Sequence, residues 1–170
     1  MQNSTTSRSD GFAIQVVPVG SSAEPHAVAR EAIGSITIGP FSESFPISLN
    51  FWAVEDYVAS WKHALAALEE SADSTVCLVA SMVDPQDGNF VNCWPVYRSG
   101  DIVRVQNSII FFEDLTETFD PGTPWLSVAA HSVIDEDGNR ISEWSTTMSE
   151  IRRFRDHGAY FADASGTYSG

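Results

Sequence analysis

Cations are what this chain has least of: nine Lys and Arg stand against 23 Asp and Glu, a formal net charge of −14 and an isoelectric point near 4.4. Such a field repels phosphate backbones and acidic membrane surfaces and favours basic partners. Cysteine is nearly absent as well. Cys77 and Cys93 lie in predicted strands without C-x-x-C spacing, so they read as small buried hydrophobes suited to a reducing cytoplasm, not as a disulfide or a metal pair. No apolar run is long enough to span a bilayer, and the start, MQNSTTSRSDGF, lacks the apolar core and cleavage site of a secretory signal.

Motifs for catalysis are missing too. The four histidines, His26, His63, His131 and His157, match no metal-binding spacing, and His131 beside Ser132 has no third group to aim it as a base. There is no G-x-x-x-x-G-K phosphate loop and no dinucleotide fingerprint. DEDG at 135–138 resembles part of a calcium loop but lacks the further ligands and the closing glutamate. A type I′ hairpin turn centred on Asp137 and Gly138 accounts for the same letters. No cofactor or metal is expected.

What is present is a core. With 43% hydrophobic and 11% aromatic residues, 170 residues suffice for one domain. Residues 1–11 are polar and read as a disordered N-terminal segment, 12–157 as one folded unit, and 158–170, rich in small residues, as a loosely held tail. Short β-type runs at 12–19, 34–38 and 45–51 are broken by proline and glycine and predict edge or irregular strands.

The period then changes. Val54, Tyr57, Val58, Trp61, Leu65 and Leu68 share one face of a predicted helix, with Glu55 and Asp56 near its positive end. Strands follow at 75–83, 90–97 and 102–112 as an antiparallel meander, in which Pro95 predicts a bulge or an open edge. A further hairpin is predicted from 125–134 and 140–144. A second helix opens at Thr147, whose Thr-x-x-Glu spacing to Glu150 is a capping box. Strands and helices in this order make the fold α+β, a single domain with antiparallel β-sheets and two helices.

The acid is clustered. VRVQNSIIFFED, residues 103–114, ends a strand in carboxylates; Glu113, Asp114, Glu117 and Asp120 follow one strand exit, and Asp135, Glu136 and Asp137 tip the next turn. Carboxylates on loops held by a rigid sheet suit encounter with a basic surface, and equally suit ordinary solvated turns.

Three segments carry a family resemblance: PISLNFWAVEDYVASW, SMVDPQDGNFVNCWPVYRSGDIVRVQNSIIFFED and DEDGNRISEWSTTMSEI. Together they span about 44–154. The pattern of Trp52, Tyr57, Ser60 and Trp61, with VQNSIIF and ISEW, is their most specific content. The chain resembles the immunity proteins of bacterial contact-dependent growth inhibition systems, in the branch paired with a toxin that cleaves small-subunit ribosomal RNA.

The resemblance implies a Whirly-like fold and a cytoplasmic, non-enzymatic protein that is monomeric in its complex. It also implies a partner: the cognate basic nuclease toxin domain at the C-terminus of a CdiA-type effector, occluded at its RNA-binding or active-site surface. The seven clustered carboxylates are then the expected toxin-binding residues, acting as phosphate substitutes. The alternative is a Whirly-like module binding single-stranded nucleic acid, which would need a positive groove and stacking aromatics; a small hydrolase-type enzyme is the third reading.

Overall fold

The computed structural model describes residues 11–17 and 30–162. Ten of the eleven residues expected to be disordered, 163–170 of the tail, the end of the 12–19 run and His26 all lie outside that set. The described chain forms eight strands and two helices. A three-stranded antiparallel sheet has the order β1 (Phe12–Val17), β2 (Glu31–Ile38), β3 (Phe41–Ser48). After α1 (Val54–Glu69) come β4 (Asp73–Ser81), β5 (Phe90–Ser99), β6 (Ile102–Gln106) and β7 (Ser108–Phe111), then β8 (Glu143–Thr147) and α2 (Met148–His157). The second sheet runs β4-β5-β6-β8, and β7 pairs with β5 alone.

The first sheet is more regular than its glycine and proline predict. Gly34 sits inside the central strand β2 opposite Phe45, and the Phe45 ring lies where a Cβ at position 34 would be, 2.3 Å from it. The glycine makes room for an aromatic neighbour and does not break the strand. Pro46 lies on β3, which pairs only with β2, so its missing N–H need not be matched on the outer side. Gly39, at φ 57°, opens a two-residue turn from Ile38 to Phe41; Gly100, at φ 62°, opens another from Ser99 to Ile102. Glycine in the first central position is the type II′ arrangement that matches strand twist.

Pro95 occupies the central strand β5, not an edge. Cys77 pairs with it on one side, while on the other the ladder from β5 continues in one register but lapses at Gln106 and Asn107, opposite Pro95 and Trp94. A proline has no ladder N–H to give, and the predicted 102–112 strand therefore divides into β6 and β7. β6 goes on to pair with β8; β7 does not. The register shift lies in β4, where Ala80 is the extra residue between Val79 and Ser81.

The amphipathic stripe of α1 is buried as its spacing dictates: Tyr57, Trp61, Leu65 and Leu68 are fully covered against β4. Two polar contacts fix it there. The Trp61 indole N–H donates to the Val79 carbonyl at the register shift, 2.8 Å. The Tyr57 hydroxyl donates to the Ser48 carbonyl of β3, 2.6 Å, and accepts from the Met82 N–H beyond β4, 2.8 Å, so one oxygen joins the helix to both sheets.

At the other end of α1, the last carbonyls are taken by the Ser74 hydroxyl and the Arg98 guanidinium. Asp56 accepts from the Ala53 N–H, 2.9 Å, at the start. In α2, Thr147 caps the Glu150 N–H as its spacing predicts, 3.2 Å, whereas the Glu150 carboxylate turns to Arg153, 3.1 Å.

The sheets pack through aromatic rings: Phe41 stacks on Trp144 at 3.8 Å, and Phe45 lies 5.9 Å from Trp94. Helix α2 covers β1, with Phe154 edge-on to Phe12. Past α2 the chain returns to β1. The Val16 N–H donates to the Tyr160 carbonyl, 2.7 Å, and the Ala162 N–H to the Val16 carbonyl, 2.9 Å. Residues 158–162 of the expected loose tail are thus tied to the first sheet.

Candidate functional site

The first acidic segment grows directly from β7. Phe112 donates its N–H to the Asn89 carbonyl, 2.9 Å, and Phe112–Asp114 makes one 3-10 turn. The loop then doubles back so that Phe119, buried, stacks on Phe112 with ring centroids 5.0 Å apart. This stack holds the intervening acids outward: Glu113, Asp114 and Glu117 are exposed and make no ion pair or side-chain hydrogen bond among the described residues. Asp120 differs from them. Its carboxylate accepts from the Gly122 N–H, 2.8 Å, and the Thr123 hydroxyl, 3.0 Å, which makes it a turn-forming residue.

The segment expected as strand 125–134 is not one. Pro124–Ser127 forms a 3-10 turn, with Trp125 edge-on to His63 of α1 at 5.1 Å, and the remainder is a loop whose only ladder contact is a single bridge between Ile134 and Arg140. Proline in the first turn fixes the 3-10 start. Side chains of the sheet do the holding instead. The Tyr97 hydroxyl donates to the Ala129 carbonyl, 3.0 Å, and the Gln106 amide to the Ser132 carbonyl, 2.8 Å. His131 and Gln106 both meet the half-buried Glu143 carboxylate, with Arg104 at 3.6 Å. His131 therefore serves as an anchor for this loop.

Within the loop, Asp135 accepts at one oxygen from the backbone of Asn139, 2.8 Å, and of Asp137, 3.0 Å. Those hydrogen bonds, that from the Asn139 backbone foremost, hold its carboxyl below the usual range. Gly138 alone takes positive φ, 84°, and donates to the Asp135 carbonyl, so the turn centres on Glu136 and Asp137 and is not type I′. Glu136 and Asp137 are exposed and unpaired.

Of the seven carboxylates, then, Asp120 and Asp135 shape turns, and five are free. The two groups are anchored apart. Gln106 and Phe112, their anchors, are six positions distant along the β6–β7 line, roughly 20 Å at strand rise.

The cations are disposed otherwise. Glu69 gathers Arg152, Arg155 and Arg98, and its carboxyl is lowered, first by the hydrogen bond from Arg152. Arg104 is drawn to Glu143 and Arg153 to Glu150. No lysine or arginine occurs in 81–97 or 105–139.

Sequence reasoning overlooked the apolar neighbours of the acids. Phe90, Ile109 and Phe111 are exposed beside the first group, and Val133 and Ile134 beside the second. The signal was the unbroken run Ile109 to Phe112, which makes both faces of a short strand apolar. Elsewhere, Cys77 and Cys93 are buried free thiols, the first raised well above the ordinary range chiefly by its hydrogen bond with the second. No cluster of three or more metal-ligating side chains occurs among the described residues, and no helix there is long and apolar enough to cross a membrane.

Comparison with known proteins places this arrangement. Residues 47–154 match the CdiI N-terminal domain family. A curated relative, the Immunity protein CdiI of Enterobacter cloacae subsp. cloacae, is 31% identical over 137 residues, covering 79% of this chain and 92% of the relative. Among solved structures, a CdiA-CT/CdiI toxin and immunity complex from Enterobacter cloacae contains a chain that superposes with a TM-score of 0.71 at 28% identity, covering 85% of this chain and 96% of that one. With this family match, this relative and an α+β architecture that superposes on the solved chain, the chain belongs to the CdiI family of immunity proteins.

Proposed function

We propose that this protein neutralises a cognate toxin, the C-terminal domain of a CdiA-type effector, by binding it and covering its RNA-binding or active-site surface. The toxin is a basic nuclease, bound one to one in the cytoplasm without cofactor or catalysis. The observation that carries this reading is the division of charge. Five loop carboxylates stand unpaired in two groups, the second bordered by Arg140, while Arg98, Arg104, Arg152, Arg153 and Arg155 are each held by a carboxylate of the fold. A surface of that kind mimics the spaced negative charge of a nucleic-acid backbone, which a nuclease must attract. The solved relative was captured in a toxin and immunity complex, which supports the same partner class.

Single-stranded nucleic acid is the poorer ligand. Trp94 is buried and Phe41, Phe45 and Trp144 pack against it between the sheets, so they offer no stacking platform, and the acid-only stretches would repel phosphate.

The test is charge reversal of Glu113, Asp114 and Glu117 together, leaving the turn-forming Asp120 intact. Association and dissociation would be followed with a catalytically inactivated toxin domain encoded beside this chain, at two ionic strengths. Melting should hold nearly constant, because exposed unpaired charges contribute a few tenths of a kcal/mol at most. Association should slow by about tenfold or more at low salt, with the difference shrinking as salt rises. Equal rates, with no salt dependence in the parent, would return these residues to ordinary solvated turns.

A further inference from the structure

The far end of the second sheet carries an apolar face that no described residue covers. Among the described residues β7 pairs only with β5, so its other edge has no strand beside it there. Strand alternation turns Ile110 inward and Ile109 and Phe111 outward. Across the ladder Phe111 faces Phe90, with ring centroids 6.0 Å apart. Phe90, Ile109 and Phe111 are 42%, 47% and 43% exposed. Beside them runs an open groove of about 460 Å³ lined by Gly88, Asn89, Phe90, Phe111, Phe112 and Glu113. Soluble proteins ordinarily blunt an open strand edge with lysine, proline or a bulge, and a contiguous exposed apolar patch with a polar rim marks an interaction site.

The rim decides what kind of partner fits. Asp87, Glu113 and Asp114 are exposed at the two strand ends joined by the Phe112–Asn89 hydrogen bond, and neither chain stretch there contains a cation. A second copy of this chain would bring the same acid rim with nothing to offset it. A partner with lysine or arginine beside apolar side chains would match both the rings and the rim.

We propose that the face formed by Phe90, Ile109 and Phe111, with the open edge of β7, is the docking surface for an extended, cation-bearing apolar segment of the toxin domain. The two phenyl rings anchor that segment. Asp87, Glu113 and Asp114 pair with its cations, and the free backbone groups of β7 add a short ladder. The inference rests on the toxin-neutralising reading and deepens it by separating two roles. The long-range field of the loop acids governs how fast the partner arrives, and the apolar anchor with the acids paired beside it governs how long it stays.

The experiment compares Phe111→Ala, Ile109→Ala and, as a control, Ile102→Ala. Ile102 is equally exposed, 47%, but lies at the opposite end of the β6–β7 line. Binding of the catalytically inactivated toxin domain would be followed by kinetics at two ionic strengths, alongside thermal melting and sedimentation of each variant alone. Phe111→Ala should raise the dissociation rate at least tenfold at both salts with the association rate unchanged, Ile109→Ala should raise it several-fold, and Ile102→Ala should match the parent. Should Phe111→Ala fail to fold, Ile109→Ala carries the test alone.

Tight binding by the parent with unchanged dissociation in both patch variants would overturn the docking surface and leave the neutralising role standing. A parent that does not bind the toxin would overturn both. Concentration-dependent dimers of the parent that Phe111→Ala abolishes would assign the face to self-association and refute the proposal.

Discussion

Tyr57→Phe removes one oxygen and nothing else, yet that oxygen holds three elements together. The Ser48 carbonyl loses its donor at 2.6 Å and the Met82 N–H its acceptor at 2.8 Å. Met82 is fully buried, so water cannot replace the lost partner there, whereas Ser48 is only partly covered. At roughly 1–3 kcal/mol for an orphaned buried group, and less where water reaches, the expected loss is about 2–4 kcal/mol. For a chain of this size that corresponds to a fall in Tm of about 4–15 °C. Tyr97→Phe is the internal control, because its hydroxyl makes a single contact, to the Ala129 carbonyl, and should cost about 1 kcal/mol.

Urea unfolding followed by far-UV circular dichroism measures both, and an unchanged m-value would show that the folded and unfolded ends of the transition are the same. pH adds a second readout. Burial is the main cause that raises the Tyr57 hydroxyl above its ordinary value of 10.0. A group raised on folding contributes stability that is full below its unfolded pKa and is lost as pH climbs through the folded one. The parent should therefore weaken above about pH 10, and Tyr57→Phe should weaken less steeply. Burial likewise pushes Tyr97 to about 12, so Tyr97→Phe should blunt the upper part of the same limb. A Tyr57→Phe protein within about 0.5 kcal/mol of the parent, well short of the cost of an orphaned buried group, with an identical alkaline limb, would refute the bridging role.

Trp61→Ala should abolish soluble yield: truncating a fully buried tryptophan costs about 3–5 kcal/mol and also orphans the Val79 carbonyl, a loss comparable with the whole stability of many domains. A folded Trp61→Ala protein that merely failed to bind toxin, by melting and pull-down together, would place the stripe on the surface. Glu69→Gln should lower stability at neutral pH by up to about 1 kcal/mol, since the pairs are partly exposed. The lowered carboxyl of Glu69 gives stability that is present above its ordinary value of 4.5 and lost as pH falls through the folded value, so parent and variant melting curves should converge in acid. Dialysis against a chelator should leave toxin protection intact in a growth assay; loss of protection would call for a metal site in place of simple binding.

The two helices were legible because their information is local: the α1 stripe from Tyr57 to Leu68 and the Thr147 cap are set by spacing within one element. The turns at Gly100 and Gly138 were legible as turns for the same reason, although in the second Gly138 took positive φ without Asp137, which changed the turn type. What escaped the sequence depends on partners far along the chain. Residues 125–134 have the composition of a strand, but the edge beside β6 is taken by β8, so Tyr97 and Gln106 hold them by side chain instead. The division of the 102–112 strand required knowing that Pro95 would lie opposite Gln106. For the acids, exposure on loops was readable from composition, while the split between turn-forming Asp120 and Asp135 and the five free carboxylates rests on backbone geometry.

The return of residues 158–162 to β1 has a consequence for how the protein is made. Val16 pairs with Tyr160 and Ala162, partners more than a hundred residues further along the chain. During synthesis the first three strands can pair with one another long before those partners have been made, leaving the outer edge of β1 open to any neighbouring nascent chain until they arrive. A chain truncated just before this segment would keep the sequence of every strand and helix but leave one edge unguarded, the kind of species that aggregates or attracts a protease.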